Sequence, residues 1–540
     1  MQNYSHAMRS NMSNMNPTPP LPPQARPAWT PAPAGRPPVR RGSRRLLPLL
    51  LLLCALIIAA ASAAADLYRD QTTLAIQVPG QQALQLDLNQ GFAASPYLLG
   101  SNVFPRAGTS AQDQGGRGFM SYDQRVINGL RSANIKLLRF PGGNWGEEHT
   151  LSTAQLNDFS TLLNQVGAEG IMQAQLSDPL DVTPVPLRTR ASRAALLVDY
   201  MNNPESIQRQ GTKAPFHRIK YWTIGNEPDL LINPDTGQRY TVDAYTQAFI
   251  AYSLAMHEKD PGIKIFGPEI SRYQGQQGPR DAAGKLWMGS FLTQIAQYER
   301  THALPFHLLD GVSFHWYPFD NAQKNFVDLL NEPTALNSLL PALRQTIRQQ
   351  FGEDLPIAIT EINTSPGKVV PAPDLAALWW AETLGTLMNN HVEYVAFFST
   401  EGVDTPFPLF IQQDLRETAM LRTMQLFARL QRYVVPLPAT QGPVSVYAAE
   451  DQQHNTVSIL FINKSDVSQQ VSAGNSGLLP LGPWKGATLT LGGHGMSVVI
   501  LHRNGSDEAF SFNNIENTQQ SAPAVQHLIC STNVADAFTC

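Results

Sequence analysis

Between Leu98 and Val435 the chain repeats one pattern eight times: a short apolar run, then a longer stretch of helical periodicity. The runs are YLLGSNVF, IKLLRFPGGN, GIMQAQLSD, IKYWTIGNEP, IKIFGPEIS, LDGVSFHWYP, PIAITEINTS and EYVAFFSTEG. Apolar runs of this length bounded by turn residues read as strands, and the stretches between them read as amphipathic helices. A strand followed by a helix returns the chain to start a parallel neighbour. Eight such units predict an α/β fold, a (β/α)8 TIM barrel, over residues 96–435.

The texture changes after Pro436. VSVYAAE, TVSILFINK, ATLTLGG and MSVVILHRN are short strands parted by Gly, Asn and Asp turns, and predict a small antiparallel β-sandwich over 436–505. TLAIQVPG and LQLDLNQ, within residues 66–95, are expected to join that sandwich. The polar segment 506–540 is expected to be a mobile tail.

The N-terminus is different again. Residues 1–45 hold seven arginines, no acid and many prolines, a composition that cannot build a core and is expected to be disordered. Leu46–Ala65 follows, twenty uncharged residues behind Arg44-Arg45. That length suits a transmembrane anchor. Its Ala63-Ala64-Ala65 end equally suits a cleaved signal segment. Both readings place residues 66 onward outside the cytoplasm, membrane-anchored or secreted. The formal net charge of −4 offers no basic excess for phosphates, so no nucleic-acid partner is expected. Three cysteines, Cys54, Cys530 and Cys540, form no metal-binding cluster, and neither metal nor cofactor is expected. Cys530 and Cys540 read as a disulfide if exported, or as two free thiols.

Barrel chemistry collects at the C-terminal ends of the strands. There the sequence offers Arg139 and Asn144 after strand two, Asn226 and Glu227 after strand four, His315, Trp316 and Tyr317 after strand six, and Glu361 on strand seven. Two carboxylates at one mouth are what glycosidic bond cleavage requires: one protonated to release the leaving oxygen, one ionised to attack the anomeric carbon. Arg139 is expected to stabilise the Glu361 anion and lower its pKa, with Tyr317 and His315 on the same carboxylate. Asn226, Asn144 and Trp316 complete the expected substrate contacts. Glu269 and Glu401, at other strand ends, are further candidates for binding substrate, and Asp178 is a competing acid. Glu147 and Glu148 read as solvated loop acids. His257 and His391 read as surface or core residues, and Trp379 and Trp380 as packing against the barrel.

YWTIGNEPD and IAITEINTS, in that order on strands four and seven, resemble the clan A retaining glycoside hydrolases. The resemblance implies Glu227 as acid/base and Glu361 as nucleophile. LLRFPGGNW is similar to family 51 arabinofuranosidases, FHWYP to family 44 endoglucanases and xyloglucanases, and both families carry a trailing sandwich. AFFSTEG departs from the clan in lacking a tryptophan on strand eight. The implied activity is retaining hydrolysis of an extracellular oligo- or polysaccharide, endo-β-glucanase/xyloglucanase-like. The alternatives are an α-L-arabinofuranosidase-like exo-hydrolase and a non-catalytic glycan-binding surface protein.

Overall fold

The computed structural model describes residues 46–106, 118–177, 185–209, 215–319, 328–365, 371–401, 407–475, 484, 486–512 and 524–528. Eight strands close a parallel barrel: β1 Gly100–Asn102, β2 Leu137–Phe140, β3 Glu169–Ala174, β4 Tyr221–Ile224, β5 Lys264–Ile270, β6 Gly311–Trp316, β7 Ile357–Ile362 and β8 Tyr394–Phe397. The ring closes where Phe397 of β8 pairs with Ser101 of β1. The helices that follow the strands in turn are α1 Gln124–Ser132, α2 Thr153–Val166, α3 Leu187–Asn202, α4 Val242–His257, α5 Trp287–Thr301, α6 Leu336–Gln350, α7 Pro373–Asn389 and α8 Ala419–Phe427.

Local chemistry sets several of these boundaries. Asp123 and Thr241 cap α1 and α4 by accepting backbone N–H bonds that the first turn leaves unpaired. Ser152 and Gln155 form a reciprocal capping box on α2. Trp379 and Trp380 of α7 are fully buried, as is Trp222 of β4. His257 is buried on α4, and His391 lies stacked on Phe92.

The barrel interior changes character along its axis. Near the strand starts it is aromatic: the Tyr221 ring lies 5.1 Å from Tyr394, 5.6 Å from Phe266 and 5.7 Å from Tyr97. Toward the strand ends the inward positions become polar: Asn102, Arg139, Gln173, Glu269, His315 and Glu361 are all buried. An aromatic plug thus underlies a layer of charge.

The sandwich has two sheets. One orders Ala487–Leu491, Gln469–Asn475, Thr73–Gln77 and Leu84–Asp87. The other orders Ala524–Leu528, Asp507–Phe512, Met496–His502, Thr456–Asn463, Val444–Glu450, Tyr433–Val435 and Phe92–Ala93. The segment before the barrel therefore contributes three strands. Two pieces of the expected mobile tail 506–540 need correction: Asp507–Phe512 pairs antiparallel with Met496–His502, and Ala524–Leu528 extends that sheet, while 513–523 and 529–540 lie outside the described residues. The physical reason is the burial of Ala509, Phe510 and Phe512 in the otherwise polar DEAFSF run. The expected cysteine pair, Cys530 and Cys540, lies outside the described residues, as do residues 1–45.

A helix covers Leu46–Thr72, containing the expected anchor or signal segment and running on through Asp66, Arg69 and Asp70. Among the described residues no helix is long and apolar enough to cross a membrane. The spanning reading therefore has no structural support.

Candidate active site

From the last residue of β2 the chain runs Phe140-Pro141-Gly142-Gly143-Asn144 past the barrel mouth. Gly143 has φ of 53°, and a Cβ there would lie 3.2 Å from the Phe398 ring and 3.3 Å from Glu361 Oε1. Glycine lets this backbone pass over the carboxylate. Glu227 and Glu269 both take positive φ, 45° and 58°, in the left-handed region that side chains with a Cβ rarely adopt. Such backbone recurs where surrounding structure imposes a functional geometry. Here the Glu227 N–H donates to the Glu269 carbonyl at 2.9 Å, tying the ends of β4 and β5 together.

Arg139 is the hub. Its Nη1 donates to Glu361 Oε1 and to Asn102 Oδ1, both at 2.9 Å. Its Nη2 donates to Asn226 Oδ1 and Glu269 Oε2, both at 2.8 Å. Asn226 in turn donates to Asn144 Oδ1 at 3.0 Å. Tyr317 Oη donates to Glu361 Oε2 at 2.8 Å. His315 Nδ1 lies 2.9 Å from Glu227 Oε1 and 3.5 Å from Glu361 Oε2, while Nε2 lies 3.6 Å from Glu269 Oε2. His315 was expected on Glu361; its shorter contact is to Glu227, with the ring lying among three carboxylates.

The electrostatics follow from burial and charge. Burial pushes His315 down, but Glu361, Glu227 and Glu269 together more than offset it and raise it to about 10. Burial pushes Glu269 up, yet the Arg139 guanidinium and the His315 and Ser313 hydrogen bonds bring it down to about 2. Glu361 differs from expectation. Its burial and the neighbouring Glu227 carboxylate raise its pKa, although His315 and Arg139 pull the other way. The Arg139 effect has the expected sign; desolvation of a carboxylate that is 4% exposed is the larger force.

The structure thus gathers Glu227, Glu361, Arg139, Asn144, Asn226, His315 and Tyr317. Trp316 is not among them. It is buried in the hydrophobic core, because strand alternation turns residue 316 away from the interior once His315 faces inward. Glu401 accepts the Ser121 N–H through both oxygens at 3.0 Å, and burial pushes it up to about 7. Asp178 lies outside the described residues.

Glu147 also differs from expectation. It is 3% exposed and accepts from Ser177 Oγ at 2.6 Å, Ser177 N at 2.8 Å, Gln173 Nε2 at 2.9 Å and Leu176 N at 3.1 Å. This carboxylate ties the one-turn helix Trp145–Glu148 to the end of β3. Glu147→Ala would strand those donors in a buried site. The expected loss is about 2–4 kcal/mol of unfolding free energy, read from urea denaturation midpoints against Glu148→Ala as a neutral control.

One atom each from Glu227, His315 and Glu361 lie within 4.8 Å of one another, a spacing that a metal ion also uses. His315 would have to give up a tightly held proton to become a ligand, and the protonated imidazole itself supplies a cation between the carboxylates. The same distance bounds the approach of a Glu227 oxygen to a Glu361 oxygen. Retaining glycosidases hold their carboxyls about 5–5.5 Å apart and inverting ones about 6.5–9.5 Å.

No family model matches the chain. A family 44 xyloglucanase from Paenibacillus polymyxa superposes with a TM-score of 0.53 at 13% identity, covering 76% of this chain and 98% of that one. A family 51 α-L-arabinofuranosidase from Bifidobacterium longum gives 0.54 at 15% identity, covering 81% and 93%. A bifunctional glucanase-xylanase from a metagenome library gives 0.54 at 14% identity, covering 76% and 97%. The fold is therefore that of the barrel-plus-sandwich glycoside hydrolases of families 44 and 51. In sequence, 269 residues are 23% identical to an intracellular exo-α-(1→5)-L-arabinofuranosidase of Acetivibrio thermocellus, 44% of this chain and 46% of that protein. The chain thus spans about half the length of this curated relative.

Proposed function

We propose that this chain is a retaining glycoside hydrolase working by double displacement. The observation that carries the reading is the close approach of Glu227 and Glu361, oxygens within 4.8 Å, at the mouth of the barrel. Glu361 attacks the anomeric carbon. Arg139 Nη1 and Tyr317 Oη hold one oxygen each, which fixes the carboxylate and stabilises its charged form against the burial that raises its pKa. Glu227 gives its proton to the departing oxygen, then takes one from water as the second step releases the sugar. His315 Nδ1, 2.9 Å from Glu227 Oε1, holds that carboxyl in place through both steps. Asn226, fixed between Arg139 and Asn144, is placed to bind a sugar hydroxyl beside the reacting carbon.

The finer reading is an endo-β-glucanase or xyloglucanase-like activity on polysaccharide, supported by the FHWYP segment and the likeness to family 44 folds. A second reading, an α-L-arabinofuranosidase-like exo-hydrolase, is supported by the sequence match to an arabinofuranosidase. A panel of aryl β-glucosides, aryl β-cellobiosides and aryl α-L-arabinofuranosides, with xyloglucan and arabinan, separates them. Proton NMR of the first product formed must show retained anomeric configuration. An inverted product rejects double displacement and points to an inverting hydrolase; no turnover on any member rejects the enzyme reading and favours a glycan-binding protein.

The arginine-rich residues 1–45 followed by Leu46–Ala65 support export of residues 66 onward. Cell fractionation with external protease is expected to digest the folded part in intact, outer-permeabilised cells. Protection until the cytoplasm is opened would reject export and match the "intracellular" of the curated relative's name.

A further inference from the structure

We infer that the cavity beside Glu227 is the leaving-group site, and that it seats the leaving unit by a hydrocarbon face on an aliphatic ledge of Leu230, Ile232 and Pro234. A cavity of about 400 Å3 is lined by Glu227, Leu230, Leu231, Ile232 and Pro234, together with Asn144, Ser177, Glu147 and Glu148. Glu361 is not among the residues that line it. Whatever departs with the Glu227 proton must leave on the Glu227 side, so the assignment rests on Glu227 being the acid.

The chemistry of the lining decides what fits. Its polar groups are largely engaged with the protein. Asn144 Oδ1 accepts from Asn226, Ser177 Oγ donates to Glu147, and the Glu147 oxygens are filled by four donors. Apart from Glu227 itself, the exposed Glu148 carboxylate and the Asn144 amide N–H2, the surface left over is hydrocarbon. Leu230 and Ile232 are 47% and 52% exposed, unusual for large aliphatic residues beside a buried charge cluster.

That exposure is built into the fold. Asp229, just before the ledge, accepts Ser271 N at 2.9 Å and Ser271 Oγ at 2.6 Å. Beyond it, Ile232 and Asn233 pair with Arg239 and Gln238. Arg190 grips Asp235 through two bonds of 3.0 and 2.9 Å. An apolar patch held rigid and rimmed by polar groups marks a ligand groove. For a β-linked glucan, the matching surface is the C–H face of a pyranose ring.

Transglycosylation tests this directly. An alcohol attacks the anomeric carbon of the glycosyl-enzyme, its O–H proton passes to Glu227, and the ester bond to Glu361 breaks. The alcohol must sit where the leaving unit sat. With whichever aryl glycoside the protein cleaves as donor, methanol, glycerol and 1-hexanol are offered at equal concentration. Hexyl glycoside is expected to exceed methyl glycoside roughly tenfold, from partial burial of its methylenes, with glycerol no better than methanol. In Leu230→Asn/Ile232→Asn the hexyl-to-methyl ratio should fall to within about twofold of one. Glycerol matching hexanol, or a ratio that survives the double substitution, overturns the ledge while leaving the hydrolase reading intact. If no donor is cleaved, the hydrolase reading fails and the leaving-group assignment with it, and saturation-transfer NMR of 1-hexanol then decides only whether the ledge binds hydrocarbon. Methylene signals lost in the double variant support it; signals unchanged overturn it.

Discussion

Glu361→Gly is expected to lower turnover on every cleaved substrate by about 10⁴ to 10⁶-fold, because no covalent intermediate can form. Glu227→Ala should fail differently. Aryl glycosides with good leaving groups need little proton donation, so the first step survives while the second loses its base and the glycosyl-enzyme accumulates as a burst. Azide needs no base. Added to Glu227→Ala it should attack the covalent intermediate and give a glycosyl azide of retained configuration. Added to Glu361→Gly it should occupy the space left by the nucleophile and give the inverted azide. The two products are distinguished by the anomeric proton coupling in NMR. Identical configurations from the two variants would reject the assignment of roles, as would full activity of either variant on its natural glycan.

Both glutamates were legible because their signal is local: a strand pattern that ends in Asn226-Glu227-Pro228, and another that carries Thr360-Glu361. Barrel geometry then brings them together with no further information. Arg139 and Tyr317 were legible for the same reason, being strand-end residues of charged or hydroxyl type. Other residues gave no such signal. Asn102 ends β1 in a bland Gly-Ser-Asn, and its part in holding Arg139 depends on a partner 37 positions away. Glu147 sits in Gly-Glu-Glu-His, which reads as a solvated turn; only the fold brings Ser177 and Gln173 over it. Trp316 failed for a different reason. The strand end was correctly placed, but a one-residue alternation decides whether a side chain faces the mouth or the helices. Glu269 was visible as a strand-end acid, yet residue type alone does not separate a substrate-binding carboxylate from a buried counter-ion.

Glu269 carries the remaining large effect. It is fully buried, 2.8 Å from Arg139 Nη2 and 2.7 Å from Thr360 Oγ1, and nothing places it in contact with substrate. Its charge instead balances two cations, Arg139 from β2 and His315 from β6, whose other charged neighbours are Glu227 after β4 and Glu361 on β7, the latter also held by Tyr317 after β6. Glu269→Gln keeps the shape and removes the charge. Arg139 would then keep Glu361 as its one carboxylate partner, beside Asn102 and Asn226, and be drawn toward it, and His315 would lose one of the three carboxylates that keep it protonated. A reacting carboxylate displaced by about 1 Å costs on the order of 10²-fold, so kcat/KM should fall by about that factor. The pH dependence separates positioning from mere folding. His315 is raised from 6.5 to about 10, so its stabilising contribution is complete below 6.5 and is lost as pH rises through about 10. Glu269 is lowered to about 2 from 4.5, so its contribution is present above 4.5 and is lost as pH falls through about 2. In Glu269→Gln the alkaline limb of kcat/KM should therefore move to lower pH by about one unit or more. The His315 Hε1 resonance should titrate over the same lowered range. An alkaline limb and a His315 titration that both stay in place, with only the melting temperature reduced, would leave Glu269 a structural ion and take it out of the reaction.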